Sequence, residues 1–183
     1  MIVDHQLDVF IAAPLAAFLI PAVVTDIRRR RIPNALTFPM MATGLGIALV
    51  RAGLPGLGGS ALGLLVGGLL LLPLFLLGGM GAGDLKLLAG IGSLVGARVV
   101  LVMFAVIALV GAMIGIVLLV VTGQTSRLRD IFLGWTLTFT QRRNHAVLAP
   151  SADKAPIKLP YAVPIALGVL SVFAIRLAGI HAL

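Results

Sequence analysis

Six predominantly apolar runs alternate with short polar or glycine-rich stretches along the chain. They lie at Leu7 to Thr25, Pro33 to Val50, Ser60 to Leu77, Leu85 to Ala97, Val99 to Thr122 and Leu159 to Leu177. A helix needs roughly 20 apolar residues to cross the hydrocarbon core of a bilayer. The pattern therefore predicts an all-α fold, a polytopic membrane bundle of about six transmembrane helices forming a single domain over residues 1–183. The separators are the run Arg28 to Arg31, a Gly/Pro-rich turn from Arg51 to Gly59, the glycine loop that leads to Asp84, a break near Gly96 to Arg98, and a long polar stretch from Gly123 to Lys158. No second domain or internal repeat is visible.

The fourth run is short. At 1.5 Å per residue, Asp84 to Arg98 covers about 21 Å of a core roughly 30 Å thick, which would place Asp84 below the headgroup level. The alternative is that runs four and five form one broken helix and the count falls to five. Charge bias argues against it, because it would carry the basic polar loop to the other side. In that loop Leu128, Phe132, Trp135 and Phe139 follow helical spacing between Arg127, Arg129, Arg142 and Arg143. Two readings of 123–158 stay open: a cytoplasmic loop with an interfacial helix at 127–143, or a plain loop with a Trp anchor.

Composition agrees with the membrane reading, with 60% hydrophobic and 11% charged residues. Lys+Arg number 14 against 6 Asp+Glu, for a formal charge of +8. In a soluble chain such an excess suggests nucleic acid, but no segment supplies a solvated basic face, and nucleic acid is excluded as a partner. Alternating the spans instead collects Arg28 to Arg31, Lys86, Arg127, Arg129, Arg142, Arg143, Lys154 and Lys158 on one side, and leaves Arg51, Arg98 and Arg176 on the other. The positive-inside rule makes the first side cytoplasmic and both termini external. The first run has acidic residues before it and arginines after it, the reverse of a signal peptide, so it is expected to be a retained helix.

Candidate chemistry is scarce. Cysteine is absent, and His5, His145 and His181 are too scattered for a metal site, so neither metal nor cofactor is expected. All six acidic residues are aspartates, and only Asp26 and Asp84 adjoin apolar runs away from the terminus and the polar loop. Asp84 also reads as a simple helix N-cap. Asp26 is harder to explain structurally, because a helix C-terminus disfavours a carboxylate and an exposed salt bridge to Arg28, Arg29 or Arg30 contributes little. Both aspartates fall at one membrane face. Two carboxylates brought within hydrogen-bonding distance cannot both stay ionised; sharing one proton, they are equipped to activate water and polarise a carbonyl, as in aspartic proteases. Gly81 and Gly83 would then let an extended peptide lie against the loop, through close backbone approach and positive φ. They read equally as a flexible turn. The Arg28 to Arg31 run is a topology determinant or a site for anionic lipid, and Pro33 suits a helix start.

With both aspartates placed, a family resemblance follows. "DIRRRRIPN", Asp26 to Asn34, resembles the D-x(n)-I-P-N element of type IV prepilin peptidases; "GAGDLKLLA", Gly81 to Ala89, resembles their G-x-G-D-x-K-L element; "KLPYAVPIALG", Lys158 to Gly168, is similar to the start of their last helix. The three elements stand in family order. The resemblance implies an intramembrane aspartic endopeptidase of the bacterial inner membrane, with Asp26 and Asp84 catalytic, which removes the basic leader of prepilin or pseudopilin substrates at the cytoplasmic face. Gly81, Gly83, Lys86, Pro33, Asn34 and Pro160 match motif positions as substrate-binding or site-shaping residues. Lys86 would bias the ionisation of the dyad or anchor to phosphate headgroups. Larger family members carry a cysteine-containing insertion and methylate the new N-terminus. This chain has neither insertion nor cysteine, so methyl transfer is not expected and the chain resembles the compact peptidases of Flp/Tad pilus systems. Two other classes stay open: a noncatalytic scaffold in pilus or secretion assembly, and a small proton-coupled carrier. Oligomeric state is not legible.

Overall fold

The computed structural model describes residues 9–76, 80–121 and 161–177. Among them the regular elements are all helices: α1 (Val9–Arg29), α2 (Asn34–Leu76), α3 (Ala82–Val95), α4 (Ala97–Val121) and α5 (Ala162–Leu177). Three of these, α1, α2 and α4, contain stretches long and apolar enough to cross a membrane. The protein is an all-helical, polytopic membrane protein. Its chain divides into two units, Met1–Gly111 with Pro160–Leu183, and Ala112–Leu159. Only the end of α4 is described in the second unit. The 127–143 segment, Pro160 and the expected external termini lie outside the described residues.

At 43 residues α2 would be about 65 Å long if straight, twice the thickness of a bilayer core. It is not straight. Ala52 (φ −136°, ψ 15°) and Gly53 (φ 60°, ψ −149°) leave helical geometry, and the positive φ at Gly53 is one that glycine adopts without steric cost. Packing against α3 gives the direction of each limb. On the first limb Met40 faces Gly90 and Gly44 faces Ser93, so the numbers rise together. On the second, the Ser60 hydroxyl donates to the Ser93 carbonyl at 2.6 Å, Gly63 abuts Gly92, and Gly67 abuts Leu88, so the numbers run oppositely. The limbs are antiparallel. The turn expected over Arg51 to Gly59 is therefore a reversal at two residues, with helix resuming at once because Pro55 is suited to a first helical turn.

A second reversal separates α3 from α4. Gly96 (φ 82°, ψ 168°) ends α3, its amide donating to the Gly92 carbonyl at 2.8 Å. Gly168 of α5 packs on Ile107 and Gly111 of α4 approaches Pro164, so α4 and α5 are antiparallel. The amide of Ala162, at the start of α5, donates to the Asp26 carboxylate near the end of α1. Consequently α4 runs back toward the end from which α3 departs, and the one-broken-helix alternative is not what forms. Runs four and five are separate helices of opposite direction.

Helix α3 sits at the centre. Every residue from Leu87 to Val95 is buried, as expected for a helix apolar on all sides. Around it Leu15 and Ala22 of α1, Val100 and Met103 of α4, and Ile165 and Val169 of α5 complete the core. Its 14 residues are short for a bilayer, but its neighbours, not lipid, surround it. Close approach of α2 requires glycine on both sides: a Cβ on Gly63 would overlap the Gly92 carbonyl, and one on Gly92 would overlap the Gly63 carbonyl. Small residues commonly hold membrane helices this close.

Gly92→Ala and Gly59→Ala should therefore differ in sign. A Cβ at Gly59 meets nothing within 4 Å, so the second variant should match or exceed wild-type stability by up to about 1 kcal/mol of helix propensity. The first should lose about 1–3 kcal/mol through backbone displacement. Thermal unfolding of both in one detergent would check this.

Candidate active site

Four helix ends converge at one end of the bundle: the C-terminus of α1 and the N-termini of α2, α3 and α5. Each helix supplies a polar group that its own apolar segment could not accommodate. Helix α1 ends through Arg30, whose φ of 50° places it in the left-handed region and whose amide donates to the Asp26 carbonyl at 2.7 Å, a left-handed helix cap of the usual kind. This turn leaves the Asp26 side chain buried, at 6% exposure. Its Oδ2 accepts the Ala162 amide at 3.0 Å. The unfavourable C-terminal dipole of α1 is thus opposed by the favourable N-terminal dipole of α5. The sequence offered Arg28, Arg29 and Arg30 as partners; the partner found is a backbone amide 136 residues away.

Asp84 is not the N-cap of α3. The cap is Gly81 (φ −82°, ψ 150°), and Asp84 is the third helical residue, with Oδ2 reaching back to accept the Gly81 amide at 3.2 Å. Glycine has no side chain to return the bond, so this is half of a capping box. Capping uses one oxygen. The other, Oδ1, is buried and has no hydrogen-bond partner among the described residues, and the whole side chain is only 7% exposed. A buried oxygen left without a donor requires a functional or structural explanation.

Both carboxylates line one cleft of about 260 Å³, together with Arg30, Arg31, Ile32, Asn34, Gly81, Ala82, Gly83 and Lys86. Tyr161, the residue before Ala162, stands one residue from the amide that meets Asp26. Of the residues singled out from sequence, Asp26, Asp84, Gly81, Gly83, Lys86 and Asn34 meet here. Pro33 stands immediately before α2, its carbonyl accepting the Leu36 amide at 3.0 Å, and is not part of the cleft wall.

Positive φ, expected at Gly81 and Gly83, occurs at neither. Gly81 is extended and Gly83 lies within α3. The reason for glycine at 83 is contact: an added Cβ would stand 3.0 Å from the Ile32 Cβ and 3.3 Å from its carbonyl oxygen. Ile32 is buried against that surface, so the "IPN" segment and the glycine loop fit together directly. Lys86 adds a polar tie between the same segments. Its Nζ donates to Asn34 Oδ1 at 3.0 Å and stands 5.1 Å from the centre of the Phe38 ring. The ammonium is thereby held by α2. Sequence reasoning assigned Arg30 and Arg31 to topology and passed over Tyr161 and Ala162; the position of Tyr161 beside a matched proline was the available signal.

Residues 13–119, which include both aspartates, match the model of the type IV leader peptidase family. The chain belongs to this family. Among curated proteins, the prepilin leader peptidase/N-methyltransferase of Bacillus subtilis (strain 168) is 33% identical over 125 residues, covering 67% of this chain and 49% of the relative. The chain thus matches about half the length of that relative. No solved structure matches it. For a type IV leader peptidase, the cleft lies where the two family-like motifs meet, and α5 enters it from beyond the matched residues.

If Lys86 ties the two motifs, its effect should depend on Asn34. A double-mutant cycle with Asn34→Ala and Lys86→Met should give a coupling of about 0.5–1.5 kcal/mol in unfolding free energy. A coupling near zero would mean that the two motifs are held by Ile32 and Gly83 alone.

Proposed function

We propose that the protein is an aspartic endopeptidase that removes the basic leader of prepilin-like substrates, with Asp26 and Asp84 as its catalytic pair at the cytoplasmic face of the bacterial inner membrane. One observation carries the reading: two buried carboxylates from different helices line a single cleft in an otherwise apolar bundle. Structural capping alone would leave no reason to bury both together, since unsatisfied polar groups in an apolar interior cost several kcal/mol.

The hydrogen bonds suggest a division of labour. Asp26 already accepts a helix N-terminal amide, which suits it to act as the base. Asp84 keeps one oxygen without a donor, which suits it to carry the shared proton. Water gives a proton to Asp26 as its oxygen bonds to the scissile carbonyl carbon, and Asp84 gives its proton to the carbonyl oxygen. The tetrahedral intermediate then collapses with breakage of the C–N bond: the proton taken by Asp26 passes to the leaving amine, and one hydroxyl of the gem-diol returns its proton to Asp84 as the carboxylic acid forms. The cleft is smaller than the roughly 300–1,000 Å³ of pockets that enclose whole drug-sized ligands. It fits the reacting peptide unit, with the substrate helix in the bilayer and the leader at the surface.

Arg30 and Arg31 at the cleft wall would repel a basic leader, and anionic lipid headgroups at that surface offset the repulsion. The cytoplasmic assignment is supported by the basic residues gathered at this end, Arg28 to Arg31 and Lys86. Leader removal without methyl transfer, in a compact Flp/Tad-type pilus system, is the form the cysteine-free sequence favours.

Asp26→Asn and Asp84→Asn should each lower leader removal by about 10²–10⁴-fold or more, measured on purified protein in lipid with a prepilin from the same genome. Folding should persist, because an Asn at 84 can still accept the Gly81 amide and an Asn at 26 the Ala162 amide. Near wild-type cleavage by either variant would remove that residue from the catalytic pair. A folded wild-type protein that binds prepilin and never cleaves it would indicate a scaffold.

A further inference from the structure

The first turn of α5 is bonded to the Asp26 side of the cleft. Ala162 is fully buried, and its amide is committed to Asp26 Oδ2 at 3.0 Å. Tyr161 is the residue whose carbonyl starts the helix, accepting the Ile165 amide at 3.2 Å, so its backbone is fixed by α5 itself. The tyrosine is half-buried, and its backbone stands one residue from the amide bonded to Asp26, which shares the cleft with Asp84. Across the cleft, Asp84 Oδ1 is buried without a donor. Among the described residues the neighbouring cations are otherwise engaged or exposed: the Lys86 ammonium is held by Asn34 and Phe38, and the Arg30 and Arg31 side chains are exposed at the wall. A phenol hydroxyl is a donor that can rotate about its C–O bond to meet such an oxygen.

We propose that the Tyr161–Ala162 dipeptide is the positioning element of the aspartate pair: the Ala162 amide orients Asp26, and the Tyr161 hydroxyl orients Asp84 by donating to its Oδ1 when peptide fills the cleft. The inference rests on the peptidase reading and deepens it. One short piece of backbone would then set both carboxyl groups relative to each other. Proton transfer between a shared pair and a substrate depends on such registration to within about 0.5 Å. Tyr161 acts through Asp84 and is a positioning residue. It also makes α5, which lies beyond the residues matched by the family model, part of the site.

The chain contains a single tyrosine, which permits a readout independent of cleavage. Full-length protein labelled with ¹³C at the tyrosine ζ-carbon should give one resonance in lipid. In the presence of a non-cleavable leader-junction peptide, Asp84→Asn should move that resonance and Gly59→Ala should not. Tyr161→Phe keeps the ring and removes only the hydroxyl, so its thermal unfolding should match wild type. Its kcat for leader removal should fall about tenfold or more, the loss expected for a hydrogen bond to a charged or proton-sharing group, with KM unchanged. A resonance that ignores Asp84→Asn, or a Tyr161→Phe kcat within about twofold of wild type, would overturn the proposal. Should the wild-type protein fail to cleave at all, the peptidase reading falls, while the resonance still reports whether Tyr161 and Asp84 meet.

Discussion

Burying a carboxylate in a bundle this apolar costs several kcal/mol unless donors meet it, and the protein buries two at one place. Much of the architecture at that end follows from how the cost is met. Asp26 takes an amide from the start of α5 and Asp84 takes one from the turn before α3. Among the described residues the hydrogen bonds found for both come from backbone amides, not from charged side chains. Each relies on backbone donors that a helix end leaves free, so helix ends, not helix middles, had to be brought together.

That requirement explains the two reversals. Helix α3 must begin at the site and be covered along its length, which the antiparallel limbs of α2 do by packing on it through Gly44, Gly63, Gly67, Gly90 and Gly92. The break at Gly96 turns α4 back, so that Ile107 and Gly111 pack antiparallel against Gly168 and Pro164 of α5. Glycine thus serves two purposes that sequence composition does not separate: close backbone approach along α3, and positive φ at Gly53 and Gly96 where the chain reverses.

The apolar runs and the two aspartates were legible because both depend on local properties. Run length reports a helix, and a carboxylate next to an apolar run is conspicuous against 60% hydrophobic residues. The partners of those carboxylates were not legible. Nothing near Asp26 in the chain signals the Ala162 amide; the local arginines were the only partners the sequence offered, and at an exposed position such a pair contributes little. Gly83 was read as permitting positive φ and close approach of a peptide; positive φ is absent, and the close approach is made by Ile32 of the same chain, because sequence shows that a side chain is missing but not what occupies the space. Lys86 was recognisable as a motif residue, while its tie to Asn34 spans 52 positions and appears only after α2 and α3 pack.

Because the chain contains no cysteine, the sharing of one cleft by Asp26 and Asp84 is open to a direct measurement in the native membrane. Paired cysteines at 26 and 84 should be joined by a short thiol-reactive cross-linker, as should a reference pair at Asn34 and Lys86. A pair at 26 and Gly59, placed far along α2, should not. Efficient cross-linking of the first pair would support the shared cleft. Failure of that pair while the reference pair reacts would contradict it.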